Sequence, residues 1–232
     1  MKTSWLLWLD TAHSPWLNMA IDEELLLNSK QLAGRPLLRI YDWNCPAVSI
    51  GYVQDYPDEH SSEVKIVRRM TGGGIVEHSN DLTYTAVIPP EHPICDLNRM
   101  ESYHIIHQAV KYALEQFNIS VSLASNDAPP VDRATMQCFI TPTRYDVIGD
   151  GKKYAGSAQR RTKNGILHQG SIALTAAKGH ADRLRRELIN GFEETLAEQF
   201  QPFQLEADLL QKAEALAKSK YATDAWNREK RC

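Results

Sequence analysis

Apolar residues along this chain change spacing from segment to segment, and the changes mark its elements. Residues 5–10 form a short apolar run that predicts a strand. Ser14-Pro15 then reads as a helix N-cap with proline at the first helical position. Leu17, Ile21 and Leu25 recur every four residues, so this helix buries one stripe. Strands are predicted over 36–43, 47–53 and 64–69, and Gly72-Gly73-Gly74 opens a hairpin-like pair over 75–78 and 82–88.

A helix over 99–118 carries Ile105, Ile106, Ala109, Val110, Ala113, Leu114 and Phe117 at helical spacing. A strand over 119–124 leads into the polar connection SNDAPPVDRAT, which is expected to be mobile. Residues 143–149, 152–159 and 165–174 read as consecutive antiparallel strands, with Gly149-Asp150-Gly151 turning the first two. A third helix places Leu184, Leu188, Phe192, Leu196 and Phe200 on one side, and a last one over 205–218 carries Leu209, Ala213 and Leu216. Hairpins and helices are interleaved, so the pattern predicts an α+β fold. Its mixed, largely antiparallel sheet is flanked by helices and is not a doubly wound parallel sheet.

The length of 232 residues suits a single domain with a full core, and the net charge of −3 gives no case for a nucleic-acid binder. Charge is uneven, however. Between Arg144 and Lys163 six cations face only Asp146 and Asp150, which fits either an acidic partner or a solvated basic hairpin. Cys45, Cys95, Cys138 and Cys232 are far apart with no CxxC, the apolar opening is interrupted at Asp10, and no run approaches a membrane span. The expectation is a cytoplasmic protein with reduced thiols and no membrane association.

Two segments can carry chemistry. In residues 67–85, VRRMTGGGIVEHSNDLTYT, three successive glycines let backbone N–H groups face a ligand oxygen. Arg68 and Arg69 precede them, and His78 and Asp81 follow. The segment is neither a P-loop nor GxGxxG, and a ligand-free turn is the bland reading. The second runs from Cys138 to Leu174 and holds a thiol, the pair Lys152-Lys153, and the small-residue run AGSA over 155–158. A nearby ammonium favours the nucleophilic thiolate, whereas a lone intracellular cysteine is most often a core residue. A solvated hairpin lysine is the alternative for Lys153, slightly weakened by the AGSA run, because small residues in a strand often mark close backbone approach. His104 and His107 lie three apart on a helix without a third ligand and read as structural.

Together, LNMAIDEELL (17–26), RIYDWNCPAVSIGYVQ (39–54), RRMTGGGIVEHSNDLTYT (68–85) and YDVIGDGKKYAGSAQRRTKNGILHQGSIAL (145–174) resemble the lipoate–protein ligase, octanoyltransferase and biotin ligase superfamily. The resemblance implies a mixed sheet with helices against it, an acyl tunnel roofed by the glycine segment, and Lys153 as the reactive lysine. CF ahead of PTRYD, with YATDAWN near the end, resembles the cysteine-dependent N-octanoyltransferases that draw octanoate from acyl carrier protein. There Cys138 is implied as the acyl-carrying nucleophile. Substrate contacts are implied at Arg69, Thr71, Gly72, Gly73, Gly74, His78, Tyr84, Gly156, Ser157, Ala158, His168 and Gly170.

The implied donor is octanoyl-acyl carrier protein, and the implied acceptor is a lipoyl domain or glycine cleavage protein H. No cofactor is implied for transfer; ATP and Mg would enter only for a ligase. The chain departs from the branch pattern in TGGGIVEH and in His168-Gln169-Gly170, and Glu77 is expected to point outward from an apolar tunnel. An ATP-dependent lipoate–protein ligase, an amidotransferase between lipoyl carriers and a non-catalytic carrier binder remain the alternatives. One catalytic domain is expected over 1–232, with C-terminal helices of 178–226 packed on it and no separate accessory domain; oligomeric state is not readable.

Overall fold

Strand β1 (Trp5–His13) passes into helix α1 (Pro15–Leu27) through Ser14, whose Oγ accepts a hydrogen bond from Leu17 N–H at 3.2 Å. The computed structural model describes residues 4–32, 34–58, 63–125, 140 and 142–231. Strands β2 (Leu37–Trp43), β3 (Ala47–Ile50), β4 (Lys65–Arg68), β5 (Val76–His78) and β6 (Asp81–Ile88) follow, then helix α2 (Arg99–Glu115). Next come β7 (Ser122–Leu123), β8 (Val147–Gly149), β9 (Lys152–Thr162) and β10 (Gly165–Ala173). The remainder is α3 (Ala181–Leu196), β11 (Phe200–Pro202), α4 (Ala207–Leu216) and α5 (Asp224–Asn227).

Among the described residues, eight strands form one sheet in the order β11-β1-β2-β6-β10-β9-β8-β7, and β4-β3-β5 form a smaller one. Only β11-β1-β2 and the β3-β4 pair run parallel; every other pairing is antiparallel, as the α+β reading requires. Alternate residues of β2 separate the two cores. Leu38 and Ile40 pack with Val110 and Leu114 of α2 and with Leu188 and Phe192 of α3. Leu37 and Tyr41 pack on the other face with Ile21 and Leu25 of α1 and Ala213 of α4. Each such Leu or Ile contributes about 1.5–3 kcal/mol by leaving water.

The β8–β9 hairpin turns at Asp150 (φ 50°) and Gly151 (φ 70°), the two positive angles that an Asp-Gly hairpin turn uses. Its register shifts between Val147 and Ile148, which pair with Ala155 and Lys153, so Tyr154 is the extra residue of a bulge next to Lys153.

Several expected boundaries move. The strand expected over 143–149 begins only at Val147, because Tyr145 takes φ 69°, outside the β region. Strand β3 stops at Ile50 because the chain folds around the Arg68 guanidinium, whose Nη1 donates to the carbonyls of Gly51, Tyr52 and Gln54. Phe200 is not on the third helix. Ala197 adopts the left-handed conformation and ends α3, and Phe200 opens β11 beside Trp5 while still meeting Phe192. The last helix gives way to a π-helical turn over Ala217–Tyr221. The connection expected to be mobile lies, apart from Ser125, outside the described residues.

Candidate active site

The glycine segment folds around a buried arginine. Arg69 donates from Nη2 to the carbonyls of Gly72 (3.0 Å) and Gly74 (2.8 Å), and from Nη1 to Ser49 O (2.8 Å) and Oγ (2.6 Å). Gly73 sits at φ +83°, and its carbonyl lies where a side chain on Gly51 would go, 2.1 Å from an added Cβ. Only glycine fits at Gly51, so the two loops are closed on each other.

Gly72, Gly73 and Gly74 line a cavity of about 720 Å³ together with Arg69, His78, Lys153, Gly156, Ser157, Ala158 and Gly170. This volume falls within the about 300–1,000 Å³ of small-ligand sites. Of the expected contact residues, Thr71, Tyr84 and His168 are not on its wall. Thr71 Oγ1 donates to Gln169 Oε1 at 2.6 Å, and it is Gln169 that reaches the cavity. Tyr84 and His168 face α2 and α3: the Tyr84 ring lies against Gly170, 2.2 Å from where a Cβ would stand, and stacks on His168. Burial drives the His168 imidazole well below its ordinary pKa, so that ring is neutral. Glu77 is exposed, pointing away from the cavity. Cys138 and Cys232 lie outside the described residues.

Lys153 is buried at the wall, and its Nζ lies 2.7 Å from Asp146 Oδ2, with side-chain exposures of 3% and 0%. Oδ2 also accepts from Thr143 N–H (2.6 Å) and Thr143 Oγ1 (2.8 Å). The Tyr103 hydroxyl of α2 lies 3.0 Å from Asp146 Oδ1 and 2.8 Å from the Ser157 carbonyl, and it accepts from Ser157 N–H. His107, one turn further along α2, donates from Nδ1 to the Tyr145 carbonyl (2.7 Å), and its Nε2 accepts from Ser157 Oγ (2.6 Å). Burial lowers the His107 pKa to about 4, which matches a neutral ring with one acceptor nitrogen. No cluster of three metal ligands occurs among the described residues.

At another part of the wall, His78 Nδ1 lies 2.8 Å from Asp81 Oδ2, its Nε2 lies 2.6 Å from Ser49 Oγ, and Trp43 stacks on its ring. Burial opposes charge on Asp81, yet His78 and the hydroxyls of Ser171 and Thr83 hold its carboxyl below the usual range. Asp146, Tyr103, Gln169, Ser49 and Trp43 were not foreseen as site residues. Only Asp146 carried a sequence signal: it lies just ahead of a hairpin turn that returns Lys153 to its side.

Among the described lining residues four are cations, Arg69, Arg99, Arg144 and Lys153, and none is a carboxylate. A buried ammonium beside a glycine-walled cavity can stabilise an oxyanion that develops on a bound carbonyl.

The lipoyl protein ligase A/B catalytic domain model matches residues 14–201. The chain is 31% identical to octanoyltransferase LipM of Brevibacillus brevis, over 96% of this chain and 98% of that one. It is 31% identical to octanoyltransferase LipM of Anoxybacillus flavithermus, over 92% and 94%. Protein Ta0514 of T. acidophilum shares the fold, with TM-score 0.80 at 23% identity over 98% of this chain and 100% of that one. A bi-partite lipoate protein ligase of Thermoplasma acidophilum does so with TM-score 0.73 at 22% identity, over 97% and 96%. The chain belongs to the lipoyl protein ligase A/B catalytic domain family, with octanoyltransferases among its relatives.

Proposed function

We propose that this acyltransferase carries an octanoyl group from acyl carrier protein, through a thioester on Cys138, to a lysine of a lipoyl domain or of glycine cleavage protein H. The observation that carries the reading is the buried Lys153–Asp146 pair at the wall of a glycine-lined cavity, in a chain whose relatives are named octanoyltransferases. The role of Cys138 rests on the resemblance of its CF pair and the PTRYD that follows.

The chemistry needs two displacements. Cys138 thiolate attacks the thioester carbon, and the carbonyl electrons move onto oxygen, where the Lys153 ammonium stabilises them. Collapse breaks the bond to the carrier's sulfur, and that thiolate takes up the proton Cys138 gave away. A neutral lysine amine then attacks the Cys138 thioester, the Cys138 sulfur leaves, and a proton from the nitrogen restores the thiol. A thioester becomes an amide, a downhill change that needs neither ATP nor Mg. The cations on the described part of the cavity wall suit an acidic carrier with a phosphate-bearing arm. Within this reading the described C-terminal helices are part of one catalytic unit, since α4 packs on α1 and α5 on β4. The cytoplasm is its proposed place of action, where Cys138 stays reduced.

Steady-state transfer from octanoyl-acyl carrier protein to a lipoyl domain tests the reading. It predicts parallel double-reciprocal lines without ATP, and loss of transfer in Cys138→Ser. Full activity of that variant, or transfer only with ATP, Mg and the free acid, would overturn it.

A further inference from the structure

Lys153 reaches the cavity wall from a strand, but the group that holds it there comes from elsewhere. Asp146 is fully buried, and its carboxylate is gripped from two independent elements. The turn ahead of β8 supplies Thr143 N–H and Oγ1, and α2 supplies the Tyr103 hydroxyl. These bonds fix the carboxylate without help from Lys153. The same tyrosine also contacts both the carbonyl and the N–H of Ser157, so Asp146 and the cavity-lining part of β9 are registered to one another.

We propose that Asp146 is the positioning residue for Lys153: its carboxylate fixes the ammonium at the cavity wall and keeps it protonated there. The assignment rests on Lys153 as the working ammonium of the proposed transfer. A buried ammonium without a facing anion loses its proton, because burial penalises only the charged form. Among the described residues, Asp146 is the carboxylate in contact with that ammonium. His107 and Tyr103 face it from α2, and Tyr84 lies near it from β6. His107 is neutral above about pH 4, and burial together with Asp146 pushes the Tyr84 phenol up. Neither His107 nor Tyr84 supplies negative charge to the ammonium, so among these groups it is the carboxylate of Asp146 that faces it.

The test reads the charge of Lys153 directly, in the full chain and without substrate. Acetylation of Lys153 by N-hydroxysuccinimidyl acetate is followed by peptide mass spectrometry as pH rises, since only the neutral amine reacts. In Asp146→Asn the midpoint of labelling is expected at least about one pH unit below that of the native chain, and Asp146→Glu is expected to return it. In the transfer assay Asp146→Asn is expected to lower kcat about 100-fold with little change in KM for the octanoyl donor. Should Asp146→Asn fail to fold, Tyr103→Phe and Thr143→Val each remove one bond from the carboxylate and are expected to shift the midpoint part of the way. Labelling at the native pH in a folded Asp146→Asn, or in both substitutes, overturns the assignment. A shifted midpoint in a protein that transfers no octanoate would leave Asp146 assigned and sink the transferase reading instead.

Discussion

Gln169 donates to Asp22 Oδ2 across 2.7 Å and so joins the cavity wall to helix α1. Asp22 in turn holds Arg39 Nη1 at 2.7 Å, with side-chain exposures of 1% and 0%. Thr85 and Tyr41 also donate to this carboxylate, at 2.7 and 3.4 Å. The chain Thr71–Gln169–Asp22–Arg39 therefore ties the glycine loop to the core by side chains alone.

Removing Asp22 leaves a buried guanidinium with Asp10 as its remaining carboxylate. Asp22→Ala is expected to cost about 3 kcal/mol, the loss typical of breaking a buried ion pair from one side. Urea unfolding measures it, and a loss under about 1 kcal/mol would show the network to be incidental.

A second anchor comes from the C-terminal end. Asn227 Oδ1 accepts from Arg68 N–H at 2.8 Å, its carbonyl accepts from Arg68 Nε and Nη2, and Trp226 Nε1 donates to Arg68 O. Arg68 immediately precedes the arginine that ties the glycine loop. Asn227→Ala is expected to lose about 1–3 kcal/mol through unpartnered buried groups, and to raise KM for the octanoyl donor. Unchanged KM in the folded variant would detach the clamp from the site.

Acid should weaken the fold through His107. Its imidazole goes from an ordinary 6.5 to about 4 on burial. Between those values the unfolded chain binds a proton that the folded chain refuses, so stability falls as pH falls from 6.5 to about 4. The full effect is about 3 kcal/mol. Unfolding free energies across this range should slope less steeply in His107→Gln than in the native chain. Equal slopes would place the acid sensitivity elsewhere.

Gly51 and Gly73 offer a steric test. Gly51→Ala puts a Cβ 2.1 Å from the Gly73 carbonyl, so one backbone must move. A displacement of about 1 Å at a positioning loop can cost about 100-fold in rate, and a comparable fall in kcat/KM is expected. Native activity in Gly51→Ala would mean that the loop yields freely.

Local signals carried most of the fold. Ser14-Pro15 marked the start of α1, the Asp-Gly turn marked the β8–β9 hairpin, and the helical spacing of Ile106, Val110 and Leu114 marked the buried face of α2. Phe200 continued the apolar period of α3 although the chain had left the helix, because a β-strand against Trp5 buries the same ring as well. At the site, glycines and Lys153 were legible by type and order. Asp146 reaches Lys153 around a hairpin, and Asp22 reaches Gln169 across 147 residues. Pairings of that kind leave no periodicity, which is why Thr71 was expected at the ligand and instead holds Gln169. Tyr84 and His168 fall on the helix-packed face because side chains alternate along β6 and β10.

Intact mass measurement of the protein after incubation with octanoyl-acyl carrier protein, without ATP, reads the Cys138 thioester itself. The expected result is the mass gain of one octanoyl group, mapped to Cys138, removed by hydroxylamine and absent in Cys138→Ser. No adduct on Cys138, together with ATP-dependent acylation of a lipoyl domain, would contradict it.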